Sequence, residues 1–277
     1  MYTYNLQSAL EFLHFHFSSG VSYSTLNCYK SALSLILDIN DSDERILKRF
    51  LKGAFNIKPS SPRYSITWDP RPVLEHLETL MPLTSLTLQN LTLKLVTLLA
   101  LISAHRIQTL TKISLENIVH YADRVEIRIP QRVKTTTPGR LQPNLVLPYF
   151  KDRPGLCAAM TLKTYINVTT TIRPENSKQV ILTFKKPHRA ASSQTISRWI
   201  KKTLQSSGIN TETFSAHSTR HASTSAANRA GVSIDVIKKT AGWTSQSGAF
   251  AKFYNKPLAP EPCQYAQGVL NSLTTNM

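Results

Sequence analysis

An apolar run over residues 86–102 constrains the fold of this chain most, because aliphatic side chains in such number must be shielded from water. Gln89, Asn90 and Lys94 interrupt the run, which argues against a helix that spans a membrane. We therefore predict a helix over 87–104 that lies in the core of a soluble domain, and we expect no membrane association.

The sequence around this helix predicts a domain that mixes helices with a small sheet. Val125, Ile127 and Ile129 alternate with polar residues, which is typical of a half-buried strand. The predicted elements are helices at 71–81, 156–169 and 192–207, a three-stranded sheet of 117–120, 124–130 and 145–148, and a short strand at 180–184. The expected fold class is mainly α with a small β-sheet (α+β).

The first 56 residues, 1–56, predict a separate helical domain. Three helical segments separated by turn-forming residues lie at 6–17, 24–37 and 43–55. Residues 57–68 are rich in Pro and Ser and lack periodicity, so we predict a linker there. The second domain then spans 69–258.

The last stretch, 259–277, predicts a short tail helix after a proline-rich break. Tyr265, Val269, Leu270 and Leu273 fall at helical spacing in an otherwise polar segment. So short a helix is marginal alone and has to dock its apolar stripe, either on its own domain or on another subunit.

The residues best suited to chemistry concentrate in one segment, 214–254. His217, Arg220 and His221 lie three and four positions apart, so a helix would project them from one face. We call these three residues the His/Arg cluster.

Helix-end signals follow the His/Arg cluster. Ser233 is typical of an N-cap, and Gly242 is typical of a left-handed C-cap that turns the chain toward Trp243. We predict a short helix over 234–241 between these two residues.

A last helix, capped by Thr244 or Ser245, is predicted to end the domain. Phe250, Phe253 and Tyr254 lie at helical spacing on it, so we expect Tyr254 to face inward. The pattern therefore places a tyrosine near the His/Arg cluster.

A tyrosine in such surroundings suits attack on a phosphodiester. A phenol with a pKa of ~10 is a weak nucleophile at neutral pH, and nearby cations stabilise its phenolate form. Arginine also clamps phosphate oxygens through its planar, bidentate guanidinium group.

At these residues the sequence resembles the tyrosine recombinases, the phage-integrase family. The family motif, H-x-x-R followed by His or Trp and then Tyr, stands here as His217, Arg220, Trp243 and Tyr254. Two further family residues lie upstream: an arginine at a helix start and a lysine on a β-hairpin. They are Arg106, in the context AHRIQTL, and Lys134, in the context RVKTTTPGR.

The subgroup that the sequence resembles is the recombinases of DIRS-type retroelements. The stretch PSSPRYSITWDP before the catalytic domain and AGW followed by FYNKP at its end carry this resemblance. It implies that 1–56 is a core-binding domain that grips DNA. This domain is short for that role, so we expect a leading helix to lie outside the sequence or to be absent.

The resemblance also implies a role for each site residue. Arg106 and Arg220 hold the non-bridging phosphate oxygens, and Trp243 donates a hydrogen bond to one of them. Lys134 is the general acid for the 5′-oxygen, and Tyr254 is the nucleophile, with Tyr265 its nearest rival along the chain. His217 accepts the tyrosine proton or donates to the oxyanion, while His105 and His221 support the site by packing. The structural alternatives are ion-paired arginines, packed core histidines and a surface lysine.

Charge supports a polyanionic partner. The formal net charge of +17 favours double-stranded DNA, since Lys and Arg neutralise phosphates, although a merely solvated basic surface is the alternative. The candidate DNA-binding residues are Lys48, Arg49, Lys52, Lys58, Arg63, Lys185, Lys186, Lys201 and Lys202.

The remaining expectations concern activity and context. Transesterification conserves bond energy in the covalent link, so we expect no metal and no nucleotide cofactor. Three cysteines without metal-type spacing indicate a reducing compartment, and the resemblance implies the nucleus. It also implies a homotetramer on DNA, with a monomer or dimer in its absence. The alternatives to a recombinase are a type IB-like topoisomerase and a domesticated DNA-binding protein that no longer cuts.

Overall fold

The computed structural model describes residues 5–59, 63–134, 136, 142–259 and 264–272 of the 277 residues. The chain divides into two compact units, of which the first ends at Arg63 and the second begins at Tyr64. Helices dominate, and a three-stranded sheet lies in the second unit, so the predicted α+β fold class is confirmed. Among the described helices, none has the length and apolar character needed to cross a bilayer.

The first unit contains three helices, α1 (Leu6–Ser18), α2 (Tyr23–Ile36) and α3 (Asp41–Ile57). Each helix begins after a residue whose side-chain oxygen accepts a backbone N–H of the first turn. These capping residues are Asn5, Ser22 and Asn40. One fully buried leucine from each helix, Leu13, Leu26 and Leu47, meets in a small core.

The second unit is built around α5 (Leu88–Ser103), which corresponds to the helix predicted over 87–104. Its side chains are buried on nearly all sides from Leu91 onward, as expected for a helix enclosed by others. The other α-helices of this unit are α4 (Arg71–Thr79), α6 (Ile107–Leu110), α7 (Ala158–Thr169), α8 (Ser193–Ser206), α9 (Thr219–Arg229), α10 (Ile234–Thr240) and α11 (Gln264–Ser272).

Lys94 is the charged residue that interrupts the apolar run, and it is buried inside the unit. Its Nζ donates to the carbonyl of Leu80 at the end of α4, 2.6 Å away. Burial lowers the pKa of Lys94 to about 8, and the carboxylate of Glu78 opposes the shift. The lysine therefore satisfies an end carbonyl of a neighbouring helix.

The sheet consists of β1 (Ile118–His120), β2 (Arg124–Arg128) and β3 (Asn144–Pro148), in that order and antiparallel. Val125 and Ile127 of β2 are fully buried, as the alternation predicts. Leu145 and Leu147 of β3 pair with them in register, so one face of the sheet packs on the core. In the expected β-hairpin stretch RVKTTTPGR, residues 135 and 137–140 lie outside the described residues.

The strand predicted at 180–184 is wrong. The apolar side chains of Val180 and Leu182 are buried, but this segment forms only isolated bridges, Ser114 with Gln179 and Leu182 with Ala190. An apolar run identifies burial, whereas a strand also needs a neighbouring chain with continuous backbone pairing.

The predicted linker at 57–68 differs from the structure at both ends. Helix α3 continues to Ile57, and the second unit already begins at Tyr64. Tyr64 and Trp68 are buried in the core of that unit, at 6% and 3% exposure. The Pro and Ser content of the segment led to the linker prediction, although its two aromatic residues are buried.

Candidate active site

Arg220 is the most deeply buried charged residue of the described site, with 1% exposure. It lies in the first turn of α9, and its Nη2 donates to the carbonyl of Ala241 over 2.8 Å. Its Nε and Nη1 are also buried, and neither has a hydrogen-bond partner within the described residues. Buried donors left unpaired are costly, so this arrangement favours a bound anion that would accept from them.

The surroundings of Arg220 are aromatic and cationic instead of acidic. No ion pair within the described ranges includes Arg220, and its guanidinium carbon lies 4.5 Å from the ring centroid of Trp243. Burial lowers the pKa of Arg220; the Tyr254 hydroxyl opposes this shift, and the charge of Arg106 adds to it. Arg106 and Tyr254 are therefore both electrostatic neighbours of this guanidinium.

Tyr254 lies at the end of a π-helical turn, Phe250–Tyr254. Its ring stacks on His221 with centroids 4.4 Å apart, contacts Trp243 at 4.7 Å, and lies 5.2 Å from the Arg220 guanidinium carbon. The structure thus places three of the predicted site residues, His221, Trp243 and Arg220, around a fourth, Tyr254.

The backbone on either side of Tyr254 is held by Ser225 of α9. The Ser225 hydroxyl donates to the Tyr254 carbonyl over 2.6 Å and accepts from the Lys256 N–H over 3.0 Å. Ser225 lies in a run of small polar residues without a distinguishing signal, so sequence reasoning missed it.

The helix predicted to start at Thr244 or Ser245 is wrong. The chain there forms a turn, and regular structure is limited to the short π-helical turn. Phe250 is buried at 1% exposure and Tyr254 is half-buried, but Phe253 is 41% exposed and does not face inward. A π turn shifts the side-chain positions relative to an α-helix, so Phe253 does not share the buried face of Phe250 although the two residues are three positions apart.

The helix end predicted at Gly242 is present and places Trp243 in the site. Ser233 caps α10, and Gly242 adopts a left-handed φ of 68° after it. A Cβ at Gly242 would lie 3.3 Å from Cε1 of His105, which is a tight contact, and the left-handed φ itself favours glycine. This passage directs the indole ring toward Arg220.

Arg106 and His105 follow the end of α5. Ala104 has a left-handed φ of 48° and turns the chain, and Arg106 then occupies the N-cap position of α6. Arg106 is half-buried, and His105 is buried at 8% exposure. Both lie close enough to Arg220 for their charges to interact.

The histidines of the His/Arg cluster occupy different environments. His217 is exposed on a 3₁₀ turn, Ala216–Ser218, which precedes α9, and its ring centroid is 6.2 Å from that of His221. His221 stacks on the Tyr254 ring, and its packing role in the site stays a prediction. The predicted single helical face is therefore divided between a 3₁₀ turn and the first turn of α9.

Lys134 lies on an exposed turn beside α6. Together with Gln108, Arg132, Val133 and Thr136 it lines an open depression of about 430 Å³. Gln108 belongs to α6, which begins after Arg106, but none of the described contacts joins Lys134 to Arg106, Arg220 or Tyr254.

The candidate DNA-binding residues are exposed wherever they are described. In the first unit, Lys48 forms an exposed ion pair with Glu44 at 3.2 Å, and Lys58 donates to the Gly20 carbonyl at 2.8 Å. The other exposed candidates are Arg49, Lys52, Arg63, Lys185, Lys186, Lys201 and Lys202. Exposure leaves them accessible to phosphate, and their contact with DNA stays a prediction.

Two histidines next to Arg220 are held neutral. Burial lowers the pKa of His105 to about 4, and the charges of Arg220 and Arg106 contribute. Burial likewise lowers the pKa of His221 to about 4, with a further contribution from His217. Both imidazoles are therefore uncharged at neutral pH and add no charge of their own beside the arginines.

Acid is expected to destabilise the second unit through these histidines. Between pH 4 and 6.5 the unfolded chain binds more protons than the folded one, so the free energy of unfolding falls as the pH is lowered through this window. Each histidine contributes at most about 1.4 kcal/mol per pH unit. Urea unfolding from pH 7 to 4.5 should give a shallower pH dependence for His105→Asn than for the unmodified chain. Equal slopes would contradict the assignment.

The chain is similar to known proteins in sequence and in fold. A sequence model described as the phage integrase family matches residues 74–259, more than half of the chain. No curated protein sequence matches the chain significantly.

Solved structures with the same fold cover nearly the whole chain. XerH site-specific recombinase, in a post-cleavage complex with a palindromic difH substrate, is 12% identical, with 99% of this chain and 72% of that chain aligned and a TM-score of 0.58. A lambda integrase dimer bound to a COC′ core site is 15% identical, with 94% and 67% aligned and a TM-score of 0.56. XerA recombinase is 12% identical, with 99% and 100% aligned and a TM-score of 0.51. With a family match over most of the second unit, the chain belongs to the phage integrase family of tyrosine recombinases.

Proposed function

We propose that this chain is a site-specific DNA recombinase that cuts and rejoins strands through a covalent 3′-phosphotyrosyl link at Tyr254. The observation that carries the proposal is the buried guanidinium of Arg220, with two unpaired donors, against the ring of Tyr254. A phosphodiester is an anion that could accept from those donors while the phenol oxygen attacks its phosphorus.

The proposed step is a transesterification. The Tyr254 oxygen forms a bond to phosphorus as the bond from phosphorus to the 5′-oxygen breaks. The phenol proton passes to His217, and Lys134 gives a proton to the departing 5′-oxygen. Attack by the 5′-hydroxyl of a second strand reverses these transfers and releases the tyrosine.

The arginines and Trp243 have no part in proton transfer. Arg106 and Arg220 bind the non-bridging oxygens, where negative charge increases in the transition state, and the indole N–H of Trp243 donates to one of them. The neutral state of His105 and His221 suits this role, since neither adds a positive charge that would compete with the arginines for the phosphate.

Double-stranded DNA is the proposed partner. The net charge of +17 and the exposed basic residues of both units favour a polyanion. The lambda integrase and XerH structures with the same fold are complexes with a core site and with a difH substrate. We extend this kind of partner to the present chain.

Covalent trapping tests the proposal. A nicked suicide substrate loses the short fragment that carries the 5′-hydroxyl, so an attacked strand stays on the protein. We expect a protein–DNA adduct that resists denaturing electrophoresis and forms in EDTA without a nucleotide. The absence of any adduct across a library of DNA sites, with DNA binding retained, would favour the domesticated DNA-binding protein instead.

The cellular setting is proposed from the DIRS-type motifs of the sequence. Integration of a mobile element in the nucleus is the setting those motifs imply. Strand exchange between two DNA partners distinguishes this function from a type IB-like topoisomerase, which would only relax supercoiled DNA. A plasmid recombination assay with a relaxation readout separates the two.

Removal of the tail is expected to uncouple assembly from DNA binding. Helix α11 leaves Val269 and Leu270 exposed, at 49% and 64%, and so provides an apolar stripe for a neighbouring subunit in a tetramer. Truncation after residue 260 should leave affinity for a single site nearly unchanged and should abolish the tetrameric complex in light scattering with DNA. A truncated protein that still forms tetramers would refute docking between subunits.

A further inference from the structure

The segment from Tyr64 to Trp68, which we call the strap, is bound to the candidate active site although its sequence is typical of a linker. Tyr64, Thr67 and Trp68 are buried, at 6%, 0% and 3% exposure. The segment begins one residue after the first unit ends. Its anchors are therefore the first part of the second unit that the chain reaches.

Two side chains of the strap hold the 3₁₀ turn that carries His217. The Tyr64 hydroxyl accepts from the Ser215 N–H over 3.1 Å and shares a 2.9 Å hydrogen bond with the Ser215 hydroxyl. The Trp68 indole N–H donates to the Ser218 hydroxyl over 2.8 Å. The position of His217 is thus determined from both ends of its turn.

The ring of Tyr64 extends this support to the proposed nucleophile. It packs edge-on against His221 with centroids 5.3 Å apart, and His221 stacks on Tyr254 at 4.4 Å. The three rings form a continuous column, so a shift of Tyr64 changes the surface on which the Tyr254 ring rests.

The backbone of the strap holds the chain beyond Tyr254. The Thr67 N–H donates to the Pro257 carbonyl over 2.8 Å, and the Thr67 carbonyl accepts from the Ala259 N–H over 2.6 Å. The backbone around Tyr254 is therefore held at two points. Ser225 binds the Tyr254 carbonyl, and Thr67 binds the carbonyl of Pro257, three residues downstream.

We propose that the strap is a positioning element for DNA cleavage, in which Tyr64 and Trp68 set the placement of Tyr254 and His217. The inference rests on the proposed function, because it assigns the strap to that reaction. A strap that only completed the core would contribute to stability and would leave the rate of the chemical step unchanged.

Tyr64→Phe is the test variant, because it keeps the ring on His221 and removes only the hydroxyl. Single-turnover cleavage of the suicide substrate at saturating DNA should slow about tenfold or more, since a misplacement of roughly 1 Å can cost about 10²-fold. The Kd for DNA should stay the same. Trp68→Phe, which removes the N–H to Ser218, should slow cleavage in the same way.

Tyr165→Phe is the matched control. Tyr165 is also a buried tyrosine whose hydroxyl accepts a backbone N–H, that of Leu182 over 3.0 Å, but it lies in the core away from the described site contacts. Loss of the Tyr165 hydroxyl should lower the free energy of unfolding and leave the cleavage rate at saturating DNA unchanged. Equal slowing in Tyr64→Phe and Tyr165→Phe would overturn the proposal.

Hydrogen exchange supplies a second readout that does not depend on activity. In Tyr64→Phe, backbone amides of 213–222 and 255–259 should exchange faster than in the unmodified chain, whereas Tyr165→Phe should affect residues around Leu182. If the unmodified chain forms no adduct, the proposed function fails, and faster exchange in both segments still supports the strap as the anchor of Tyr254. Unchanged exchange in both segments would overturn it.

Discussion

Replacement of Tyr254 by phenylalanine is expected to abolish the covalent protein–DNA adduct. Phenylalanine keeps the ring contacts with His221 and Trp243 but lacks the oxygen that attacks phosphorus. Because loss of a nucleophile removes the chemical step itself, cleavage should fall by about 10⁴-fold or more. Denaturing electrophoresis of the suicide-substrate reaction measures the adduct, and a filter-binding assay should give the Kd of the unmodified chain.

Tyr265→Phe is the control for this substitution, since Tyr265 is the next tyrosine along the chain. It should form the adduct at the rate of the unmodified protein. Undiminished adduct in Tyr254→Phe would rule out Tyr254 as the nucleophile.

Replacement of Arg220 by alanine should reduce the cleavage rate by about 10²–10³-fold with little loss of DNA affinity. In the proposed reaction its buried donors bind the phosphate where charge develops, and such preorganised groups act mainly in the transition state. Arg220→Lys should recover little, because an ammonium group lacks the planar fork that binds both the Ala241 carbonyl and an anion. Single-turnover rates and Kd values separate the two effects, and equal losses in both would make Arg220 a binding residue.

A substrate with sulfur at the 5′-bridging position tests whether Lys134, and not Arg220, supplies the proton to the leaving group. The sulfur leaving group needs little protonation, so this substrate should restore cleavage by Lys134→Ala and leave Arg220→Ala slow. The position of Lys134 on an exposed turn beside α6 motivates the test. If the sulfur rescues neither variant, or rescues both, another residue supplies the proton.

Local signals in the sequence predicted much of the architecture. The cap at Ser233 and the left-handed glycine at Gly242 marked helix ends that the structure contains. The apolar run over 86–102 likewise predicted the central helix. These features depend on neighbours in the chain, which is why sequence reasoning reached them.

Features that depend on distant contacts were missed or misassigned. The predicted helix before Tyr254 is a π-helical turn, whose backbone is held by Ser225 about thirty positions earlier in the chain. The supposed linker contains Tyr64, whose partner Ser215 is 151 positions away. The composition of a segment does not reveal such pairings, although two large aromatics in a Pro- and Ser-rich stretch are a usable warning.

The site residues were predicted in part, since the sequence identified them but did not show their contacts. Motif order and spacing identified Arg220, Trp243 and Tyr254, which the structure brings into contact. The sequence could not reveal that two donors of Arg220 are left unpaired, because the carbonyl that its third donor binds, that of Ala241, lies at the end of a different helix. The same tertiary burial makes His221 a direct neighbour of Tyr254.

Mapping the covalent bond tests the central claim most directly. Trypsin should cleave after Lys252, but Lys256 precedes a proline, so one peptide of residues 253–277 carries both Tyr254 and Tyr265. Fragmentation of this peptide from the trapped adduct by tandem mass spectrometry distinguishes them. The account predicts a 3′-phosphonucleotide on Tyr254. The same mass on Tyr265, or on any residue outside this peptide, would contradict it.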